Sequence, residues 1–253
     1  MSTDADARLE EHLLARAHRL MSGGRALLGI CGAPGAGKST LAERLVAGLG
    51  PAAVVVPMDG FHLHDDELAR LGLSDRKGAP ETFDVAGYVA LLRRLRSETD
   101  HVVYAPEFDR SREESVAGAI AVRPEHRLVV TEGNYLLHDG QGWADVRPLL
   151  DEVWFVEGDE ARRLERLVAR HVQHGKPPDL AERWATVADQ ANADLVARTR
   201  AKRHLAREEP DRQVGLRGRE RAVAQPRGWR HRDTDRDERQ ALHDGSLAAR
   251  HQA

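Results

Sequence analysis

Residues 32–39 of this chain read Gly-Ala-Pro-Gly-Ala-Gly-Lys-Ser, and no other segment restricts the fold so tightly. The spacing G-x-x-x-x-G-K-[ST] is that of a loop wound around phosphate. Its glycines admit backbone conformations that a β-carbon blocks, so successive N–H groups converge on anionic oxygens. Lys38 would reach the β- and γ-phosphates as a point charge, and the Ser39 hydroxyl would bind Mg²⁺. The helix that follows would aim its positive end at the anion. Such a loop must leave a buried strand and enter a helix. Residues 26–31 (ALLGIC) supply the strand and residues 39–49 the helical pattern. The nucleotide-binding set is Gly32, Ala33, Pro34, Gly35, Ala36, Gly37, Lys38, Ser39 and Thr40. Cys31, at the strand's end, reads as a small packing residue.

The rest of the chain repeats the alternation of strand and helix. Residues 7–20 place Leu9, Leu13, Leu14 and Ala17 on one helical stripe, ended by Ser22-Gly23-Gly24. Residues 53–56 and 128–131 read as buried strands, residues 102–104 and 119–122 as shorter ones, and residues 153–156 as another. Asp84 can cap a helix carrying Val85, Val89, Leu92 and Leu95. Asp159 opens an arginine-rich helix that Pro177 and Pro178 break, and a further helix is expected over residues 180–200. Continuous apolar strands separated by helices predict an α/β fold of the P-loop NTPase type. Its sheet would be mainly parallel, covered by helices on both faces, with a helical lid. Three parts are expected: an N-terminal amphipathic helix (1–24), a P-loop domain (25–200) and a charged tail (201–253). The tail interleaves both signs of charge with few large apolar residues, a composition that predicts disorder.

Composition limits the partners. A formal net charge of −3 gives no global basic field for nucleic acid. A single cysteine rules out an internal disulfide framework and suits a reducing cytoplasm. No apolar run approaches a membrane span, and the acidic start lacks the features of a signal peptide. The expected partner is a small hydroxyl-bearing acceptor, with no membrane, no nucleic acid and room for a homodimer.

Several protein classes share the phosphate cradle. A GTPase requires N-K-x-D after a later strand, which the chain lacks. A transporter ATPase requires S-G-G downstream, whereas Ser22-Gly23-Gly24 lies upstream. A small-molecule kinase requires a carboxylate beside the acceptor hydroxyl, a second carboxylate near magnesium and a cationic lid. Asp59 follows the second apolar strand, where open α/β sheets bind ligands, and could orient and deprotonate the hydroxyl. An ordinary Asp-Gly turn is the competing reading. Glu132 ends residues 128–131 and would bind Mg²⁺ directly or through water. Arg162, Arg166 and Arg170 share a helix face and suit a lid over phosphates. His62 and His64 lack the further ligands a transition-metal site needs, and contact of His62 with substrate is the preferred reading. The alternative to a kinase is a regulatory nucleotide-binding ATPase without a small-molecule acceptor.

GAPGAGKST, MDGFHL, RKGAPETFDV, YAPEFDR, TEGNYLL and RRLERLVAR, in that order, resemble the nucleoside/nucleotide kinase-like branch of P-loop kinases. That branch includes relatives of type I pantothenate kinase, uridine kinase and phosphoribulokinase. The strongest likeness is to bacterial proteins labelled fructose transport system kinases. The resemblance implies ATP and Mg²⁺ as cofactors, and phosphoryl transfer to a nucleoside, pantothenate-like or sugar hydroxyl. It implies catalytic roles for Lys38, Asp59, Arg166 and Arg170, with Arg162 or Arg163 as alternatives in the lid. Asp59, Phe61, His62, Arg76, Arg110 and Tyr135 would meet the acceptor, with Lys77 beside them, and Ser39 and Glu132 the metal. Asp189 and Asn192 also match, without an assigned role. Relatives usually close with a short apolar strand, and here AKRHLAREEPDRQVG takes its place. The expectation is a sheet lacking that edge strand, or a C-terminus derived from a shifted reading frame.

Overall fold

Four parallel strands form the central sheet: β1 (Ala26–Gly32), β2 (Ala53–Val55), β5 (Leu128–Gly133) and β6 (Glu152–Val156), in the order β2-β5-β1-β6. The computed structural model describes residues 2–202. β1 lies between β5 and β6, with Ile30 opposite Glu132 and Gly32 opposite Val156. A central parallel strand is buried on both faces, and all seven residues of β1 are buried.

Alternation along the strands sorts side chains into two cores. Leu28, Ile30, Leu128 and Val130 face α2 (Lys38–Leu49), which contributes Leu41, Leu45 and Leu49, while Leu13, Leu14 and Ala17 of α1 (Ser2–Leu20) pack there too. Leu27, Cys31, Val129 and Val153 face α4 (Val85–Ser97), with Leu92 and Leu95 buried against them. Asp84 caps α4 through the Gly87 N–H, as its position predicts. Burying each of these large aliphatic side chains contributes about 1.5–3 kcal/mol. Trp143 is fully buried in the second core, and its indole N–H donates to the Pro80 carbonyl at 3.2 Å.

The two short strands expected around residues 102–104 and 119–122 are longer than read and do not join the central sheet. They form an antiparallel hairpin, β3 (Val103–Asp109) with β4 (Glu114–Val122). Pro106 lies where the register shifts between Ala105 and Glu107. A bulge tolerates the missing N–H, so the strand continues toward Arg110.

The helix expected over residues 180–200 is two helices, α6 (Pro178–Thr186) and α7 (Ala188–Ala197), meeting at Val187. The Thr186 hydroxyl donates back to the Glu182 carbonyl at 2.8 Å, a bond that bends helices, and Val187 beyond it is β-branched. Before them runs the arginine-rich α5 (Glu160–Gln173), capped by Asp159 at the Arg162 N–H. α3 (Asp65–Leu71) lies between Asp59 and the hairpin in sequence. Of the tail expected from residue 201, only Ala201 and Lys202 are described, in a 3-10 turn (Arg200–Lys202). The rest, with the stretch standing in place of an edge strand, lies outside the described residues. Among the described residues, no helix is long and apolar enough to cross a membrane.

Candidate active site

The carboxyl ends of the parallel strands deliver the chemistry to one edge of the sheet. β1 runs into the loop 32–37, where Gly35 (φ 77°) and Gly37 (φ 98°) hold left-handed conformations that favour glycine. Gly32 is required for a different reason: a β-carbon there would stand 2.6 Å from the Val156 carbonyl oxygen. At Gly35 it would meet Leu167 at 2.8 Å and the Arg163 carbonyl at 2.9 Å, so lid helix and loop are packed backbone to backbone.

Lys38 is the first residue of α2 and is buried. Its ammonium donates to the Ala33 carbonyl at 3.0 Å and to Asn134 Oδ1 at 2.8 Å. Burial lowers its pKa, against the opposing pull of Glu132 and Asp59. Ser39 Oγ donates to Glu132 Oε1 at 2.9 Å. These are hard oxygen donors at a helix N-terminus. A hydroxyl and one carboxylate are what Mg²⁺ takes from protein when phosphates and water complete its shell. Ser39 and Glu132 are the residues that would hold such an ion; among the described residues there is no cluster of three or more His, Cys, Asp or Glu that could hold a metal. Thr40, the last of the expected nucleotide-binding set, is exposed on α2.

Asp59 sits in a 3-10 turn (Met58–Phe61) directly after β2. Its Oδ2 accepts from Arg110 at 3.0 Å, and the His62 ring nitrogen Nδ1 lies 2.8 Å from its carbonyl. Asp59-Gly60 does lie in a turn, and the glycine there has a packing reason as well. A β-carbon on Gly60 would collide with the Pro106 carbonyl at the hairpin's bulge. Close approach of the hairpin is what brings Arg110 onto Asp59.

Asp59, Glu132, Lys38, Ser39, His62 and Arg110 line one cavity of about 150 Å³, and Arg170 of α5 lines it as well. The two carboxylates are pushed apart. Burial acts to raise Asp59, but His62, Arg110, Lys38 and Arg170 together hold it below the ordinary carboxylate value. Burial and then repulsion from Asp59 hold Glu132 above it. The two buried carboxylates thus sit in unlike electrostatic environments. Arg170 is held below the usual arginine value by burial and by nearby Arg110.

The remaining expected residues divide. Arg166 reaches toward the loop, with Nη1 3.4 Å from the Gly35 carbonyl, and lines a different cavity, of about 760 Å³, together with Arg162. Arg163 is buried and bonded to Glu160, Gln190 and the Pro34 carbonyl, which makes it a tie between lid and loop. Three residues expected to meet the acceptor do not line the smaller cavity. Arg76 is exposed and paired with Glu81, Phe61 packs against Tyr88, and buried Tyr135 donates to the Gly78 carbonyl. Lys77 lines the cavity instead of its neighbour Arg76, over the Phe108 ring. Asn134 and Phe108 were not singled out from sequence. Asn134 sits within the EGNY run, where its spacing from Glu132 is a usable signal; Phe108 carries none.

Comparison with known proteins places the chain among kinases. A Schizosaccharomyces pombe protein named "Putative uridine kinase C227.14" is 35% identical over 160 residues, 60% of this chain and 68% of its own. The "ATP-dependent kinase-like protein notR'" of Aspergillus versicolor is 36% identical over 152 residues, 56% of this chain and 88% of its own. The chain belongs to the P-loop nucleoside/nucleotide kinase-like family. Within that family, the crystal structure of a "putative fructose transport system kinase" from Silicibacter sp. TM1040 superposes with a TM-score of 0.66 at 42% identity. It covers 77% of this chain and 94% of its own. No protein-family model matches the chain. The fold is therefore that of a P-loop kinase, a mainly parallel α/β sheet with helices on both faces.

Proposed function

We propose that this P-loop kinase transfers the γ-phosphoryl group of ATP to a hydroxyl of a small metabolite: a nucleoside, a pantothenate-like compound or a sugar. The observation that carries this reading is the shared cavity: Asp59, Arg110, Lys38, Ser39 and Arg170 all line it. The names of relatives, an ATP-dependent kinase-like protein and a uridine kinase among them, support it.

In this scheme the loop N–H groups and Lys38 hold the triphosphate. Ser39 and Glu132 hold Mg²⁺, which when bound offsets phosphate charge. Asp59, held ionised by its cationic neighbours, accepts a hydrogen bond from the acceptor hydroxyl and orients it in line with the γ-phosphorus. A carboxylate of low proton affinity suits phosphoryl transfer through a loose transition state, where positioning outweighs early proton removal. Arg170 faces the equatorial oxygens of the transferring group. We assign the cytoplasm as its compartment, a choice supported by the buried free thiol of Cys31.

The test is an ADP-release assay against pooled nucleosides, sugars, polyols and vitamins, with Lys38→Ala as the blank. Acceptor-dependent ADP release with a phosphorylated product is expected. Slow ADP release with no phosphorylated acceptor would instead support a regulatory ATPase.

A further inference from the structure

Helix α7 (Ala188–Ala197) presents three polar side chains to three separate parts of the site, and the scheme above uses none of them. Asp189 Oδ2 lies 2.8 Å from the His171 ring nitrogen Nε2 on the lid helix, next to Arg170. Gln190 Oε1 accepts from Arg163, whose other terminal nitrogen donates to the Pro34 carbonyl of the phosphate loop at 3.2 Å. Asn192 Nδ2 donates to the Gly78 carbonyl at 3.3 Å, the same oxygen that receives the Tyr135 hydroxyl at 2.6 Å.

Asp189 and Asn192 are only 8% and 9% exposed, so each would be costly to bury without its partner. α7 is itself fixed to the core by Val196, which is 1% exposed. Gly78 has φ 97°, a conformation that favours glycine, and it follows Lys77, which lines the acceptor side of the cavity. One rigid helix thus touches the phosphate loop through Arg163, the lid through His171 and the acceptor-side loop through Gly78.

We propose that α7 is a bracket that sets the acceptor-side loop in register with the lid, with Asp189 and Asn192 as its positioning residues. Nucleotide at the phosphate loop fixes the lid arginines. The lid then holds α7 through Asp189, and α7 holds residues 77–82 through Asn192. A loop ordered only after nucleotide is seated would discourage transfer to water. The inference rests on the reading of residues 32–39 as a nucleotide site, and its test separates the two.

The test is hydrogen–deuterium exchange of the full chain with Mg²⁺ and the non-hydrolysable β,γ-imido analogue of ATP. In the parent protein the analogue should slow exchange about tenfold in both residues 160–173 and residues 77–82. Asn192→Leu keeps side-chain volume but not the donor. It should retain the slowing in the lid and lose it in the loop. Asp189→Leu should lose it in the loop as well. Asp189→Asn can still bond His171 in either tautomer and should restore it, which a general loss of packing would not do. Full loop protection in Asn192→Leu or Asp189→Leu overturns the bracket, as does a parent protein whose lid responds while its loop does not. If neither segment responds, the nucleotide site itself is refuted and the bracket falls with it.

Discussion

Ser39 Oγ donates to Glu132 Oε1 at 2.9 Å, joining the first turn of α2 to the carboxyl end of β5 across 93 positions of sequence. The contact places a hydroxyl beside a buried carboxylate whose proton affinity is raised by burial and by Asp59. An ionised Glu132 is therefore a burden on the fold that Lys38 and the Ser39 hydroxyl only partly offset.

Replacing Glu132 tests that burden. A group with a raised folded pKa contributes stability that is present below its unfolded value, about 4.3, and lost as pH rises through the folded value. The contribution therefore shrinks as the pH rises above that unfolded value. Glu132→Gln should leave thermal stability equal or higher in the absence of ligand, by up to a few degrees, while lowering kcat about 10²–10³-fold. The ADP-release assay checks the rate and melting curves the stability: the parent should gain stability from Mg²⁺ plus ADP, and the variant should gain less.

Lys38 and Asp59 should separate binding from transfer. Lys38→Ala removes the buried cation facing the phosphates and should abolish turnover in the ADP-release assay. Asp59→Asn should keep ADP affinity within about threefold while losing phosphotransfer by about 10²–10⁴-fold. Full transfer by Asp59→Asn would remove this carboxylate from the mechanism.

His62 sets a pH dependence of stability. Burial, the leading cause, keeps its pKa below the ordinary histidine value, so the folded protein holds it neutral. Stability from this neutral form is present above the unfolded pKa of about 6.5 and is lost as pH falls toward the folded value. Between pH 7 and 5.5 the parent should therefore lose more thermal stability than His62→Asn. Parallel melting curves across that range would refute the assignment.

Gly60 should prove as sensitive as a residue of the site. An added methyl meets the Pro106 carbonyl, which is backbone and cannot swing aside. Gly60→Ala should cost about 1–3 kcal/mol in denaturant unfolding and part Arg110 from Asp59. The acceptor-dependent rate should fall while ADP binding, carried by the loop 32–39, stays close to that of the parent.

Much of this protein was legible because it is local. The phosphate loop is eight consecutive residues, and Asp84 and Asp159 cap the helices they precede. What was misread depends on distant partners. The strand read over residues 102–104 runs on to Asp109, because a bulge packed on Gly60 absorbs Pro106. Residues 180–200 read as one helix, because nothing in periodicity announces that Thr186 bonds back to Glu182.

By itself the sequence determined the phosphate cradle and the alternation of strand and helix, since both follow from neighbouring residues acting over one or two turns of chain. Tertiary structure alone decided which cations face the cavity. Arg163 is buried as a tie to Pro34, Arg170 turns inward, and Lys77 replaces Arg76 beside Phe108. Helical spacing puts arginines on a common face, but the direction of that face is set by how α5 packs on the phosphate loop and α7. That packing is a sum of contacts between segments remote in sequence, which no local pattern records.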